Sequence, residues 1–176
     1  MASAFDRLFS WLDGSSGRPN LDELTARLAR LELSDADLAP FLRFSEQQYQ
    51  RNIVRAESSY HVWVLCWKAG QRSPIHDHGH SVCGVRVLRG TATVTHFART
   101  KTGHVKAIRS EEAPPGSILA TVDDDLHQVS NLQDDGADLV TLHVYAPPLL
   151  RMGTFSLLTP ERGVDVWTDW IDGAGI

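Results

Sequence analysis

The chain has 176 residues, of which 42% are apolar and 22% charged, a composition typical of one globular domain that buries its own core. Seventeen Lys and Arg against 22 Asp and Glu give a net charge of −5. This sign argues against binding to a polyanion through the overall field, so no nucleic-acid partner is expected. The two cysteines, Cys66 and Cys83, exclude a disulfide-rich secreted scaffold.

The sequence also argues against a membrane partner or export. Its longest uninterrupted apolar run, residues 62–67, is far shorter than the ~20 residues that a membrane helix needs. The first residues lack the basic region and apolar stretch of a secretory signal. We therefore expect a cytoplasmic protein.

The amino-terminal third has helical periodicity. Apolar residues spaced three and four apart predict helices over 5–14 and 21–31, and Asn20 is a plausible N-cap of the second. A third helix is predicted over 35–44, interrupted by a proline. We interpret residues 1–44 as a small helical cap that belongs to the same domain as the rest of the chain.

From residue 45 onwards, short β-branched and aromatic runs alternate with Gly, Pro, Asp and Asn, a pattern typical of antiparallel barrels and sandwiches. The predicted strands are 51–55, 60–67, 83–88, 91–97, 104–109, 117–121, 128–131 and 139–145. The run 60–67 is apolar on both faces, which predicts a strand in the middle of a sheet. Residues 88–91 predict a tight turn that joins two strands into a hairpin. The fold class is therefore mainly β.

His76 and His78 form a pair that is suited to metal binding. On a strand, residues two apart point to the same face, so both imidazoles can reach one metal while Asp77 points away. Imidazole binds iron, zinc, copper and nickel, so the pair does not select among them. Ordinary histidines in a surface turn would give the same pattern, so the interpretation depends on the surrounding residues.

The surrounding residues match a known spacing. Gly70 is followed after five residues by His76 and His78, then after four by Cys83 and after six by Gly90. This spacing resembles the first cupin motif, with Cys83 at the position where many cupins carry a glutamate ligand. Cys83 itself is open to two interpretations, a small buried apolar residue or a group near the metal.

A second segment resembles the end of the second cupin motif. His127 is followed after three residues by Asn131, although the usual proline and glycine before the histidine are replaced by residues 123–125, all Asp. Together the two motifs imply a cupin jelly-roll barrel over 45–176 that holds a metal through His76, His78 and His127. Three neutral ligands leave the metal its full charge, which favours a thiolate substrate.

More segments extend the resemblance, in register from about residue 41 to 155. They are 49–52, 65–67, 75–78 with Ser81 and Cys83, then His127, and 142–148. This ordered set resembles the cysteine dioxygenases, non-haem iron cupins that oxidise cysteine to cysteine sulfinate.

The resemblance implies a role for each matching residue. It makes His76, His78 and His127 the ligands of a mononuclear Fe(II). It makes Arg51 the partner of the substrate carboxylate and Tyr49 the aromatic residue that supports Arg51. Arginine suits this role because its planar fork binds a carboxylate through two parallel hydrogen bonds.

The resemblance also places Tyr145 over the site. In animal members this tyrosine is joined to a cysteine by a thioether, and Cys83 stands at the matching spacing. Thr141, His143 and Tyr145 correspond to a relay, and their positions at i, i+2 and i+4 of one strand put all three on the same side. The bond between Ala146 and Pro147 corresponds to a cis peptide bond in the family.

The resemblance implies an enzyme, a monomeric cysteine dioxygenase that incorporates both oxygen atoms of O2 into L-cysteine. One alternative is dioxygenation of another small thiol, 3-mercaptopropionate or cysteamine. Relatives that act on mercaptopropionate commonly carry glutamine in place of Arg51, which favours cysteine here. A second alternative is a non-catalytic metal-binding cupin. Against it stands the presence of Arg51, His143 and Tyr145 together.

The remaining histidines have no counterpart in the family and are interpreted as surface or structural residues. They are His61, His80, His96 and His104. Trp63 and Trp67 are interpreted as core residues.

Overall fold

The structure, a computed structural model, describes residues 4–15, 17–122 and 125–166. Helix α1 spans Ala4–Gly14, α2 spans Leu21–Ala29 and α3 spans Asp35–Leu38. Asn20 caps α2 as predicted, because its side-chain oxygen accepts a hydrogen bond from the Glu23 amide at 3.1 Å. The third helix is shorter than predicted. It passes into a 3-10 turn at Ala39–Phe41, which accommodates the proline. No helix among these residues is long and apolar enough to cross a membrane.

Most of the rest of the described chain is in β-strands, which confirms the mainly β class. They are β1 Gln50–Ala56, β2 His61–Trp67, β3 Ile75–His76, β4 Val82–Arg89, β5 Ala92–Arg99, β6 Val105–Ala113, β7 Ile118–Val122, β8 Leu126–Ser130, β9 Leu139–Ala146, β10 Arg151–Phe155 and β11 Arg162–Val166. The first sheet has the order β1-β2-β9-β4-β7, and the second has the order β11-β10-β3-β8-β5-β6. The strand pairs in both sheets are antiparallel.

Each of the eight predicted strands is present, and β2 lies inside the first sheet between β1 and β9, as its two apolar faces predicted. Strands β3, β10 and β11 were not predicted. Strand β3 has only two residues, which is too short for an alternating pattern. Strands β10 and β11 pair with each other at the edge of the second sheet, and their sequences lack a continuous β-branched or aromatic run.

The predicted hairpin over 88–91 is wrong. Strand β4 pairs with β9 on one side and β7 on the other, so neither of its edges is open to β5. Strand β5 instead pairs with β6 and β8 in the second sheet. The turn therefore carries the chain from one sheet to the other. Gly90 permits it, because its φ is +71° and a Cβ there would lie 2.5 Å from the carbonyl oxygen of Asp138.

The pleat of the first sheet separates its residues into two sets. All eight residues of β9 are buried. Val140, Leu142 and Val144 pack in one apolar cluster with leucines of α1 and α2. The alternate residues of the strand face the other way, into the space between the two sheets. The helices therefore cover the outer face of this sheet, and its inner face is left to line a cavity.

Helix α2 lies close to β4 at Gly84. A Cβ at this position would be 2.7 Å from a Leu28 methyl carbon and 2.9 Å from a Leu24 methyl carbon. Two residues further along β4, the Arg86 guanidinium donates hydrogen bonds to the carbonyl oxygens of Leu28, at 2.5 Å, and Leu31. These bonds satisfy carbonyl groups at the carboxyl end of the helix. The absence of a side chain at Gly84 thus allows the helix to rest directly on the strand.

We expect Gly84→Ala to lower the free energy of unfolding by about 1–3 kcal/mol, because the added methyl group overpacks the contact between α2 and β4. Urea unfolding followed by circular dichroism measures this change. Gly14→Ala is the matched control, since a Cβ there meets no heavy atom within 4 Å. Equal stability of the two variants would contradict the close approach at Gly84.

Candidate active site

Three buried histidines come together between the sheets. His76 in β3 pairs directly with His127 in β8, and His78 follows β3 in the next loop. One side-chain nitrogen from each ring lies within 4.8 Å of the other two. The strand argument used for His76 and His78 holds only in part, because β3 ends at His76 and the loop after it brings His78 to the cluster.

The outward ring nitrogens of the cluster have partners that orient the rings. The Nδ1 of His76 donates to the Pro74 carbonyl oxygen at 2.9 Å, and the Nδ1 of His78 lies 2.9 Å from the Thr121 hydroxyl oxygen. The carbonyl contact leaves the Nε2 lone pair of His76 available for a metal, and the Thr121 contact does the same for His78 when its Nδ1 is the donor. Such outer partners fix the tautomer and orientation of metal-binding histidines.

The third ring has a charged neighbour. The Nδ1 of His127 is buried without a hydrogen bond, and an Asp125 carboxylate oxygen lies 3.6 Å away. The other carboxylate oxygen of Asp125 is 3.6 Å from His96, whose Nε2 is 3.1 Å from Glu111. His96, which the sequence left without a role, therefore lies beside the candidate ligand. Its place on β5, in register with His127, accounts for this proximity.

Burial keeps His76 and His78 neutral. Burial, with repulsion from the neighbouring imidazoles, lowers the pKa of His76 to about 3 and holds the pKa of His78 well below its ordinary value. Neutral rings are the form that binds metals, so protons do not compete for these nitrogens near neutral pH. A donor set of three imidazole nitrogens fits a divalent transition metal and does not select among iron, zinc, copper and nickel.

Asp77, between two of the candidate ligands, is directed away from them as predicted. Its carboxylate accepts hydrogen bonds from the Gly153 amide and from the Arg162 guanidinium, both at 2.8 Å. These bonds tie the loop after β3 to β10 and β11. Asp77 is 2% exposed, and its role is to hold that loop in place.

A buried arginine lies on the first sheet. Arg51 in β1 is 7% exposed, and its Nη2 donates to the Tyr49 hydroxyl oxygen at 2.7 Å. The Tyr49 ring stacks on Trp67 with centroids 4.2 Å apart. The stack and the hydrogen bond hold the guanidinium in one position. A fixed, buried guanidinium is suited to bind a carboxylate.

Thr141, His143 and Tyr145 of β9 form a hydrogen-bonded line on its inner face. The Thr141 Oγ1 lies 2.9 Å from the His143 Nε2, and the His143 Nδ1 lies 3.0 Å from the Tyr145 hydroxyl oxygen. Burial lowers the pKa of His143 to about 3 and raises that of Tyr145 well above 10. Both groups are therefore neutral near pH 7, and the line can hold or pass a proton.

Sequence reasoning did not find the fourth member of this line. The indole nitrogen of Trp67 donates to the Thr141 Oγ1 at 3.0 Å. Trp67 is buried in the core, as predicted, and it also has this polar contact. Leu65 of β2 pairs with Thr141 of β9. Trp67 lies two residues after Leu65 and therefore faces the same side of the sheet as Leu65. This period of two is the only signal in the sequence that places Trp67 near the line.

Cys83 lies in β4 directly opposite Tyr145 in β9. Both side chains belong to one buried apolar cluster, and burial raises the pKa of the Cys83 thiol. Directly opposite residues of antiparallel strands have Cβ atoms about 4.5–5.5 Å apart. Gly84, the next residue, faces the helices instead. Cys83 is thus both a small buried residue and a neighbour of the candidate site.

Seven of the eight predicted site residues line one cavity of about 20 Å³ between the sheets. They are Tyr49, Arg51, His76, His78, His127, His143 and Tyr145. The eighth, Cys83, lies beside Tyr145. The cavity has room for about one water molecule before any side chain moves.

Asn131, from the second motif, is a structural residue, since its side-chain amide donates to the Trp67 and Ala137 carbonyl oxygens.

Comparisons with solved structures support the predicted cupin fold. A protein from Thermus thermophilus superposes with a TM-score of 0.54 at 19% identity, covering 66% of this chain and 98% of that one. A Klebsiella pneumoniae protein with a double-stranded β-helix domain gives a TM-score of 0.50 at 18% identity, covering 66% and 89%. At these identities the likeness concerns the fold alone.

The peptide bond between Ala146 and Pro147 is cis, as the resemblance implied.

Sequence comparisons give the family. The family model described as Cysteine dioxygenase type I matches residues 18–157. Cysteine dioxygenase type 1 of Homo sapiens is 31% identical over 147 residues, which cover 81% of this chain and 73% of that protein. The Bos taurus protein of the same name is 29% identical over 153 residues, covering 85% and 76%. The chain therefore belongs to the cysteine dioxygenase type I family.

Proposed function

We propose that this protein is a thiol dioxygenase that converts L-cysteine and O2 to cysteine sulfinate, with Fe(II) held by His76, His78 and His127. One observation carries the proposal: a single buried cavity is lined by the three-histidine cluster, the arginine and the tyrosine line. The family supplies the reaction, since its relatives in human and cattle are named cysteine dioxygenase.

Each group of residues has a part in this proposal. Arg51, held by Tyr49, binds the substrate carboxylate and thereby orients the thiol toward the histidine cluster. Ferrous iron, when bound, supplies the redox chemistry by which both oxygen atoms of O2 pass to sulfur, so no external reductant or organic cofactor is consumed. Tyr145, neutral and held by His143, supplies a hydrogen bond to the substrate or to dioxygen.

The alternative substrates and the non-catalytic alternative differ in which residues of the cavity they would use. Cysteamine has no carboxylate, so it could not form the paired, charge-assisted hydrogen bonds that the Arg51 guanidinium offers at the cavity wall. Another carboxylate thiol, 3-mercaptopropionate, would satisfy Arg51 and remains the second candidate. A non-catalytic cupin would need the histidine cluster and would have no use for the line that ends at Tyr145.

The cellular setting forms part of the same proposal. Both cysteines are free and buried, which is consistent with the reducing cytoplasm. We propose that the helical cap over 1–44 and the barrel over 45–176 form one domain. The apolar cluster that joins leucines of α1 and α2 to β2 and β9 supports this division. We also propose a monomer that binds L-cysteine and O2 without nucleic acid or membrane.

We expect the protein to purify with iron, and His76→Ala, His78→Ala and His127→Ala each to lose it, because each removes one of three ligands. Metal analysis after anaerobic reconstitution with ferrous iron measures this, and circular dichroism checks the fold. His104→Ala, outside the cavity, is the matched control and should retain iron. A fully loaded His127→Ala protein would exclude His127 as a ligand.

Sulfinate formation by the iron-loaded parent protein with cysteine and O2 tests the proposed reaction itself.

We expect Arg51→Ala to lower kcat/KM for cysteine at least about tenfold, because loss of a buried charged partner costs ~2–5 kcal/mol. Oxygen uptake with cysteine, 3-mercaptopropionate and cysteamine in parallel measures the effect. Cysteine should be the best substrate of the parent, and cysteamine should be least affected by the substitution. Arg55→Ala is the control on the same strand, since Arg55 lies outside the cavity. Unchanged kinetics in Arg51→Ala would place carboxylate recognition elsewhere.

Cys83 and Tyr145 should become linked by a thioether during aerobic turnover. A bond would form between the Cys83 sulfur and a Tyr145 ring carbon, with two hydrogens lost to dioxygen as the oxidant. Mass spectrometry should therefore find a chain two hydrogens lighter and a branched peptide after digestion. Because the bond would only hold the phenol in place, Cys83→Ser should retain part of the activity, and Tyr145→Phe should lose more. Linear peptides with a free Cys83 thiol after turnover would exclude the crosslink.

A further inference from the structure

Four side chains form one continuous line of hydrogen bonds on the inner face of the first sheet. Trp67 contacts Thr141 at 3.0 Å, Thr141 contacts His143 at 2.9 Å, and His143 contacts Tyr145 at 3.0 Å. All four side chains are buried. Thr141 is fully buried and does not line the cavity, so its hydroxyl proton must find its acceptor within the protein.

The tryptophan gives this line a direction. An indole N–H can only donate, so the Thr141 oxygen accepts from Trp67. The Thr141 hydroxyl then has its own proton to place. Among the described contacts, the only further polar partner of this hydroxyl is the His143 Nε2. If Nε2 carried a proton, the Thr141 hydroxyl proton would be buried without an acceptor, which costs free energy. The arrangement of lower free energy therefore has an unprotonated Nε2, which accepts the hydrogen bond from Thr141.

The tautomer of His143 follows from this arrangement. Its ring is neutral, because burial disfavours the imidazolium. With Nε2 unprotonated, the proton lies on Nδ1 and is donated to the Tyr145 hydroxyl oxygen. That oxygen already accepts a hydrogen bond, so the Tyr145 hydroxyl directs its proton elsewhere, to the neighbouring Cys83 sulfur or to a group in the cavity. Tyr145 lines the cavity, and a substrate or dioxygen there can accept it.

Trp67 also helps to position Arg51, and it does so through the stacking of its ring on Tyr49, not through its N–H. Its ring is stacked on Tyr49 at 4.2 Å with an interplanar angle of 16°, and Tyr49 accepts the hydrogen bond from Arg51. The two contacts are chemically separable. Trp67→Phe keeps an aromatic ring next to Tyr49 and removes the donor to Thr141 together with part of the ring volume, whereas Thr141→Val interrupts the line and leaves Trp67 intact.

We infer that Trp67 is a positioning residue that sets the proton direction of the line: through Thr141 it holds His143 in the tautomer protonated at Nδ1, so that Tyr145 presents its hydroxyl proton to the cavity. The use of that proton in catalysis rests on the proposed function. The tautomer does not, because it follows from the hydrogen bonds of the protein alone.

The tautomer is measured by long-range nitrogen–proton correlation NMR of the full-length protein, with nitrogen-15 in histidine and diamagnetic Zn(II) as the metal. His143 is assigned by comparison with His143→Gln. We expect the Nδ1-protonated form in the parent and in Thr141→Ser, which keeps the hydroxyl. Trp67→Phe and Thr141→Val should shift His143 toward the Nε2-protonated form or a mixture. Trp11→Phe, on α1, should leave it unchanged.

Two NMR results would overturn the inference. One is a parent protein whose His143 carries its proton on Nε2. The other is a folded Trp67→Phe protein whose His143 keeps the same Nδ1-protonated form as the parent. Both results are independent of whether the protein oxidises any thiol, so a failure of the proposed function is told apart from a failure of this inference.

Kinetics of the iron-loaded protein give a second readout. Trp67→Phe should lower kcat for cysteine about fivefold, equivalent to one neutral hydrogen bond, with a smaller change in KM because the stack on Tyr49 is kept. The double variant Trp67→Phe with Thr141→Val should lose no more than Thr141→Val alone, since both act on one line. Additive losses, or a loss confined to KM, would show that Trp67 acts only as packing.

Discussion

The burial of β9 on both faces is the constraint on which the site depends. Helices cover its outer face and the second sheet covers its inner face, so all eight residues of the strand are buried. Polar side chains in such a strand are costly unless they are hydrogen-bonded. Thr141, His143 and Tyr145 meet this requirement by bonding in series, and Trp67 supplies the donor at the far end. A strand built only for stability would carry apolar residues at these positions, which is why the polar line points to function.

The two sheets contribute different chemistry to one cavity. The second sheet and its loop provide three imidazoles, and the first provides the guanidinium and the hydrogen-bonded line, with the Cys83 thiol beside Tyr145. Of the eight predicted site residues, Arg51 alone carries a permanent charge near neutral pH. A divalent metal at the histidine cluster would add a second positive centre. Two positive centres in a small buried space favour a compact substrate with two anionic groups, and the thiolate and carboxylate of cysteine meet this requirement.

Local periodicity accounts for the features that the sequence predicted well. Strand positions followed from β-branched and aromatic runs, and the common side of Thr141, His143 and Tyr145 followed from a period of two. Features that depend on contacts across the fold were missed. Nothing near residues 88–91 reveals that both edges of β4 are occupied, so a sheet-to-sheet turn resembled a hairpin. The hydrogen bond of Trp67 joins residues 74 positions apart, so burial of the ring was predictable and its partner was not.

Strand β4 connects the helical cap to the cavity. Successive residues of a strand face opposite sides, so Cys83 lies against Tyr145 and Gly84 lies against α2. The position of the helix and the position of the thiol are therefore set by the same short piece of backbone. A shift of β4 that relieved a crowded helix contact would also move Cys83 relative to Tyr145, because the peptide unit between residues 83 and 84 is rigid. Close packing at the cap, far from the histidine cluster, is thus part of what holds the tyrosine and the thiol face to face.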